Sequence, residues 1–138
     1  MEWLNGQFAF ALWDGERLFC ARDPVGIKPF YYYHDRERFL FGSEPRAILA
    51  APGFSPEIDL DSLRLYFRYR YIPAPRTAYL GMKKLRPGEA LIVERDGKRI
   101  CYRYWDLAPD AVEDLHDFES ARSNLRETLE ASVERQMI

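Results

Sequence analysis

At 138 residues, 47% hydrophobic and 30% charged, the chain has the make-up of one ordinary globular domain with its own core, which excludes a disordered polypeptide. Its formal net charge of −2, with Lys and Arg scattered among Asp and Glu, argues against a nucleic-acid-binding surface. No apolar run approaches the ~20 residues that span a bilayer and the first residues lack a signal-peptide layout, so no membrane partner and a cytoplasmic location are expected.

Met1 to Gln7 leads straight into an apolar strand, a start that points to further residues upstream. Phe8 to Trp13 is too short and too aromatic for a helix, and Asp14-Gly15 turns it back through Arg17 to Ala21 as a hairpin. Asp23-Pro24-Val25-Gly26 carries the residues a type I turn prefers, and a third strand follows from Pro29 to Tyr33. This order brings Arg22 and Asp23 to the end of a sheet, where a site can be built. In Tyr31-Tyr32-Tyr33 strand alternation sends the outer two tyrosines to one face and Tyr32 to the other, so sheet packing is preferred to a nucleic-acid stacking platform. His34 to Arg38 reads as a polar turn, with His34 a turn residue rather than a catalytic base, and Phe39 to Gly42 as the returning strand.

A helix is expected from Ser43 as N-cap, with Glu44 in its first turn and Pro45 early, through Arg46 to Ala51, where Pro52-Gly53 stops it. Asp59-Leu60-Asp61 caps a second helix, whose Leu60, Leu63, Tyr66 and Phe67 recur at helical spacing and predict a core-facing stripe to about Tyr69. Arg64, Arg68 and Arg70 read as a solvated or partner-facing edge rather than a phosphate site. Ile72-Pro73-Ala74-Pro75 reads as extended. Met82–Leu85, Ala90–Arg95 and Arg99–Tyr104, turned by Arg86-Pro87-Gly88 and Asp96-Gly97, predict an antiparallel β module. Trp105 to Pro109 reads as a linker. From about Val112 to Met137, with a true start near Asp117, Leu115, Phe118, Leu125, Leu129 and Val133 predict an amphipathic helix with Ser120, Arg122, Arg126 and Glu130 outward. The two cysteines, Cys20 and Cys101, lack metal-ligand or CxxC spacing and read as small buried hydrophobes in a reducing compartment; no metal site is expected in the chain.

The run ARDPVGIKPFYY, preceded by NGQFAFALWD and followed by FLFGSEPRAIL, closely resembles the glutaminase domain of glutamine-hydrolysing asparagine synthetases, a class II (N-terminal nucleophile) glutamine amidotransferase family. YIPAPRTAYLGMKKLRPGEALIVERDG and YRYWDL extend the resemblance over almost the whole chain. The fold it implies is α+β: the later part of an N-terminal-nucleophile sandwich of antiparallel sheets with flanking helices (residues 1–107), followed by a linker and the first helix of an ATP-pyrophosphatase synthetase domain (108–138). The activity it implies is ATP-dependent transfer of glutamine-derived ammonia to aspartate, giving asparagine, glutamate, AMP and pyrophosphate.

In that family an N-terminal cysteine attacks the glutamine amide, its own α-amino group serves as base, and an Asn-Gly-Glu segment holds the oxyanion. An arginine from an earlier loop grips the glutamine carboxylate. The aspartate of the Arg-Asp-x-x-Gly segment pairs with the glutamine α-ammonium, a charge-assisted bond. Only this last role carries over, to Asp23, beside a structural role in capping its own turn. Met1 is followed by Glu2 and Cys20 lies mid-strand, so the nucleophile does not match. Asn5-Gly6-Gln7 stands directly before FAFALWD and is not the oxyanion segment. The resemblance therefore implies a fragment truncated at both ends, without activity of its own. Glutamine, the absent N-terminal glutaminase half and the C-terminal synthetase domain are its expected partners, and ATP and magnesium belong to the parent protein. Unpaired strands imply an oligomer. The alternatives are a stand-alone module that binds amino acids or docks onto a partner, and an amidotransferase with a different carboxylate acceptor.

Overall fold

Seven short strands and three helices form in the computed structural model, which describes residues 4–107 and 117–137. They fall into two compact units, Met1–Asp106 and Leu107–Ile138. In the first, the period-2 apolar runs become β1 (Ala9–Trp13), β2 (Arg17–Arg22), β3 (Tyr31–His34), β4 (Phe39–Gly42), β5 (Lys83–Lys84), β6 (Glu89–Glu94) and β7 (Arg99–Arg103). Two antiparallel sheets result, ordered β1-β2-β6-β7 and β4-β3-β5. The fold is thus α+β, as expected. The expected single module from Met82 to Tyr104 does not exist as such: β5 pairs with β3, whereas β6 pairs with β2 and β7. Local turn signals delimited those strands but carried no information on which sheet each would join.

The core lies between the two sheets. Cys20, Leu91 and Val93 from the four-stranded sheet meet Phe30, Tyr32 and Leu85, with Ala9, Ala11, Leu18 and Phe39 packed around them. Tyr32 is buried here, while Tyr33 turns the other way onto Phe54, ring centroids 4.4 Å apart, as the alternation requires. Cys20 is inaccessible as expected, but Cys101 is exposed on β7, an edge strand with no buried residue. His34 closes β3 opposite Phe39 instead of standing in the turn.

Both Gly-containing hairpins form, with different loops. Asp14 N–H donates to Arg17 O, so Gly15 and Glu16 are the central pair, and the Asp14 carboxylate takes the N–H groups of Glu16 and Arg17. The sequence placed the turn one residue earlier; strand register, fixed by the buried face of β1, moved it. Asp96-Gly97 lies in a three-residue loop in which Gly97 takes a positive φ of 83°.

Helix α1 (Pro45–Leu49) is capped at Glu44 rather than Ser43 and has no acid in its first turn; Pro45 takes the first position, where its missing N–H costs nothing. Helix α2 (Leu60–Tyr69) begins at Asp59, whose carboxylate accepts the N–H groups of Asp61 and Ser62 and the Ser62 hydroxyl. Its apolar stripe is not core. Only Ser62 is buried on α2, while Leu60 and Phe67 are 68% and 81% exposed. Helical periodicity states that a face is apolar, not that this chain covers it. Ile72 to Pro75 turns rather than running extended, Arg76 N–H donating to Pro73 O across a cis Ala74–Pro75 bond.

In the second unit, α3 (Phe118–Gln136) starts at Asp117, as the sequence requires, with the Asp117 carboxylate accepting from Glu119 and Ser120 N–H. None of its residues is buried. Val112, Leu115 and the Pro109 end of the linker lie outside the described residues. Among the described residues no helix is long and apolar enough to cross a membrane.

Candidate functional site

The loop between β2 and β3 is held from both sides by two consecutive residues. Asp23 is 1% exposed, and its carboxylate accepts three main-chain N–H groups of its own loop: Val25 (3.2 Å) and Ile27 (2.9 Å) on Oδ1, Lys28 (2.9 Å) on Oδ2. Arg22 takes the carbonyls. Its guanidinium donates from Nε to Lys28 O (2.8 Å), from Nη2 to Gly26 O (2.6 Å) and from Nη1 to Leu85 O (2.7 Å), the last reaching across to the strand that leads into the Arg86–Gly88 turn. The expected turn forms within this frame, Gly26 N–H donating to Asp23 O.

The frame extends into chain segments remote in sequence. Gly88 N–H also donates to Asp23 O, Asp23 N–H donates to Phe8 O, and the Tyr104 hydroxyl donates to Arg22 O at 2.5 Å. Two glycines are required for this closeness. A Cβ on Gly26, at φ 74°, would stand 2.7 Å from Pro87 Cγ and 3.1 Å from the Arg22 guanidinium carbon. One on Gly88 would collide with the Trp105 carbonyl. Nearby, Lys84 donates its ammonium to Ile72 O at 2.5 Å and lies over the Tyr31 ring.

Burial acts to raise the Asp23 carboxyl, but the N–H dipoles of Lys28, Ile27, Gly26 and Val25 together outweigh it and hold its pKa below the ordinary carboxylate value. Asp23 is therefore an anion at neutral pH. Burial lowers the pKa of Arg22, opposed by the Asp23 charge, and burial followed by the Arg22 charge lowers that of Lys84. An ionised carboxylate has about four lone-pair positions; the N–H groups of Val25, Ile27 and Lys28 take three of them. Val25 and Ile27, 71% and 53% exposed, form the outer surface of this rigid loop.

Of the residues singled out from sequence, Arg22 and Asp23 come together as anticipated at the end of β2. Tyr104 and the Leu85 carbonyl were not foreseen. They lie 82 and 63 residues from Arg22, and no local pattern marks such a pairing. Burial pushes the Cys20 thiol up to about 12, and burial, then Glu89, raises that of Cys101. Among the described residues no three His, Cys, Asp or Glu side chains gather as metal ligands.

Comparison with known proteins adds the wider context. Residues 1–105 match the family described as "Glutamine amidotransferase domain". The chain is 40% identical over 138 residues to asparagine synthetase [glutamine-hydrolyzing] 3 of Bacillus subtilis, covering 98% of this chain and 22% of that protein. It is 40% identical over 111 residues to a putative asparagine synthetase [glutamine-hydrolyzing] 2 of Methanocaldococcus jannaschii, covering 77% of this chain and 21% of that protein. It is also 36% identical over 134 residues to amidase chry2 of Gibberella zeae, covering 94% of this chain and 19% of that protein. The chain spans about a fifth of the length of these curated relatives.

Proposed function

The chain belongs to the glutamine amidotransferase domain family, and from that membership we propose that it is part of a glutamine-dependent asparagine synthetase, in which ammonia from glutamine is transferred to aspartate at the expense of ATP. The observation that carries this reading is the 40% identity to a glutamine-hydrolysing asparagine synthetase along 98% of the chain, which runs beyond the amidotransferase match ending at residue 105. In this reading the two sheets are the later part of an N-terminal-nucleophile sandwich in a cytoplasmic enzyme. ATP and magnesium act in the longer protein, outside the residues described above.

Asp23 enters the reading in two roles. Its burial and three backbone partners support the first, a clamp that fixes the shape of the 24–28 loop. The second, pairing with the α-ammonium of glutamine, rests on the family resemblance alone. The chain alone is expected to release no glutamate from glutamine, since neither of its thiols is an activated nucleophile.

A second reading, an acceptor other than aspartate, is favoured by one observation: amidase chry2, a relative not named as an asparagine synthetase, matches 94% of the chain. The test is to immunopurify the native polypeptide from its source, measure its intact mass, and assay glutamine-dependent asparagine formation. A species several-fold heavier than 16.3 kDa that makes asparagine is the expected result. A heavy species that hydrolyses glutamine but leaves aspartate untouched favours the second reading. A native mass of 16.3 kDa without activity refutes both.

A further inference from the structure

Three segments far apart in sequence close a ring of hydrogen bonds around the backbone of Asp23. Asp23 N–H donates to Phe8 O at 2.8 Å, and the carbonyl of the same peptide unit, Arg22 O, accepts the Tyr104 hydroxyl at 2.5 Å. The next carbonyl, Asp23 O, accepts Gly26 N–H at 3.1 Å and Gly88 N–H at 3.0 Å. Gly88 O in turn accepts Tyr104 N–H at 2.8 Å and Trp105 N–H at 3.3 Å. The circuit runs from Arg22 and Asp23 to Gly88, on to Tyr104, and back through its hydroxyl to Arg22. It closes wholly within residues 8–105 and owes nothing to what lies beyond them.

Both peptide planes that flank the Asp23 Cα are therefore pinned from outside the 24–28 loop. The N–H groups on the Asp23 carboxylate belong to Val25, Ile27 and Lys28, and they shape the loop around Asp23 without fixing Asp23 against the rest of the unit. That second task falls to the ring. Its other members are main-chain groups, and Tyr104 alone contributes a side chain to it. Burial, then the Asp23 charge, raises the pKa of the Tyr104 phenol, so the hydroxyl is a donor at neutral pH. Tyr104 and Trp105 are also the residues that lead out of the first unit, which ends at Asp106.

We propose that Tyr104 is a positioning residue for glutamine: through the Arg22 carbonyl it holds the Asp23 carboxylate where the α-ammonium of the substrate binds. The inference rests on the glutamine reading of Asp23 given above. Without the hydroxyl, the Arg22–Asp23 peptide plane is anchored at its N–H alone and is free to tilt, and the carboxylate tilts with it. The α-ammonium lies at the far end of glutamine from the side-chain amide that reacts. A displaced Asp23 therefore weakens the bound substrate and the transition state alike, a loss that raises KM and leaves kcat in place.

The test introduces Tyr104→Phe into the full-length protein and measures glutamate release across a range of glutamine concentrations. Asparagine formation from free ammonia is followed beside it, as an activity that bypasses the glutamine site. With one hydrogen bond lost, the KM for glutamine should rise roughly fivefold while kcat stays within about twofold and the ammonia-dependent activity is unchanged. Tyr102→Phe, which removes a hydroxyl of β7 that takes no part in the ring, should move none of the three. An unchanged KM in Tyr104→Phe would overturn the inference, and so would a proportionate fall in glutamine- and ammonia-dependent activity at constant KM, the mark of a merely structural role. A wild-type protein that releases no glutamate from glutamine would refute the glutamine reading itself, and the inference with it.

Discussion

Asp23→Asn keeps the shape of the side chain and replaces one acceptor oxygen by a donor. If Oδ1 stays with Val25 and Ile27, the new NH2 group points at Lys28 N–H, where a 2.9 Å bond stood. One hydrogen bond to a charged group is lost, worth roughly 1.5–3 kcal/mol, and a donor is left facing a donor in a site that water does not reach. A loss of about 3 kcal/mol is expected, a large share of the roughly 5–15 kcal/mol that holds a domain folded. Urea unfolding followed by tryptophan fluorescence measures it as a fall in the midpoint of about 2 M at unchanged slope, taking a slope of ~1.5 kcal/mol/M. The effect should depend on pH. The folded Asp23 carboxyl titrates below its ordinary value of 3.8, so in acid the native state binds fewer protons than the unfolded chain. Its contribution is whole at neutral pH and is lost as the pH falls through the unfolded value and on through the folded one. The gap between wild type and variant should close over that same interval. A variant within about 0.5 kcal/mol of wild type at neutral pH, inside the range of an ordinary surface substitution, would refute the clamp. So would a gap that stays constant into acid.

Gly26→Ala should destabilise by about 2 kcal/mol or more in the same assay, since a methyl group at φ 74° also meets Pro87 Cγ at 2.7 Å. Tyr104→Phe removes the hydroxyl that bonds Arg22 O and should cost about 1 kcal/mol, with the 24–28 amides exchanging faster. With a thiol reagent at mildly alkaline pH, Cys101 should react in the native protein and Cys20, fully inaccessible and with its thiol pushed up to about 12, only in denaturant. Two fast-reacting thiols in the native state would contradict the packing of β2.

The parts of this protein that sequence alone determined are those whose chemistry is local. Asp59 and Asp117 cap their helices because a carboxylate bonds N–H groups two and three residues on. The Asp23–Gly26 turn forms because its four residues each suit their own backbone position. Alternation set Tyr32 on the face opposite Tyr31 and Tyr33, and the packing of the second sheet decided that this face is the buried one. The family resemblance likewise rests on contiguous runs of residues. Tertiary structure alone decided the partners. β5 and β6 leave the same Arg86–Gly88 turn for different sheets, and the Arg22 guanidinium closes on a carbonyl 63 residues away. α2 shows the limit most plainly: its apolar spacing is real, yet Leu60 and Phe67 face outward. A hydrophobic pattern records that surface is worth removing from water, and only the arrangement of the other elements settles which surface meets it.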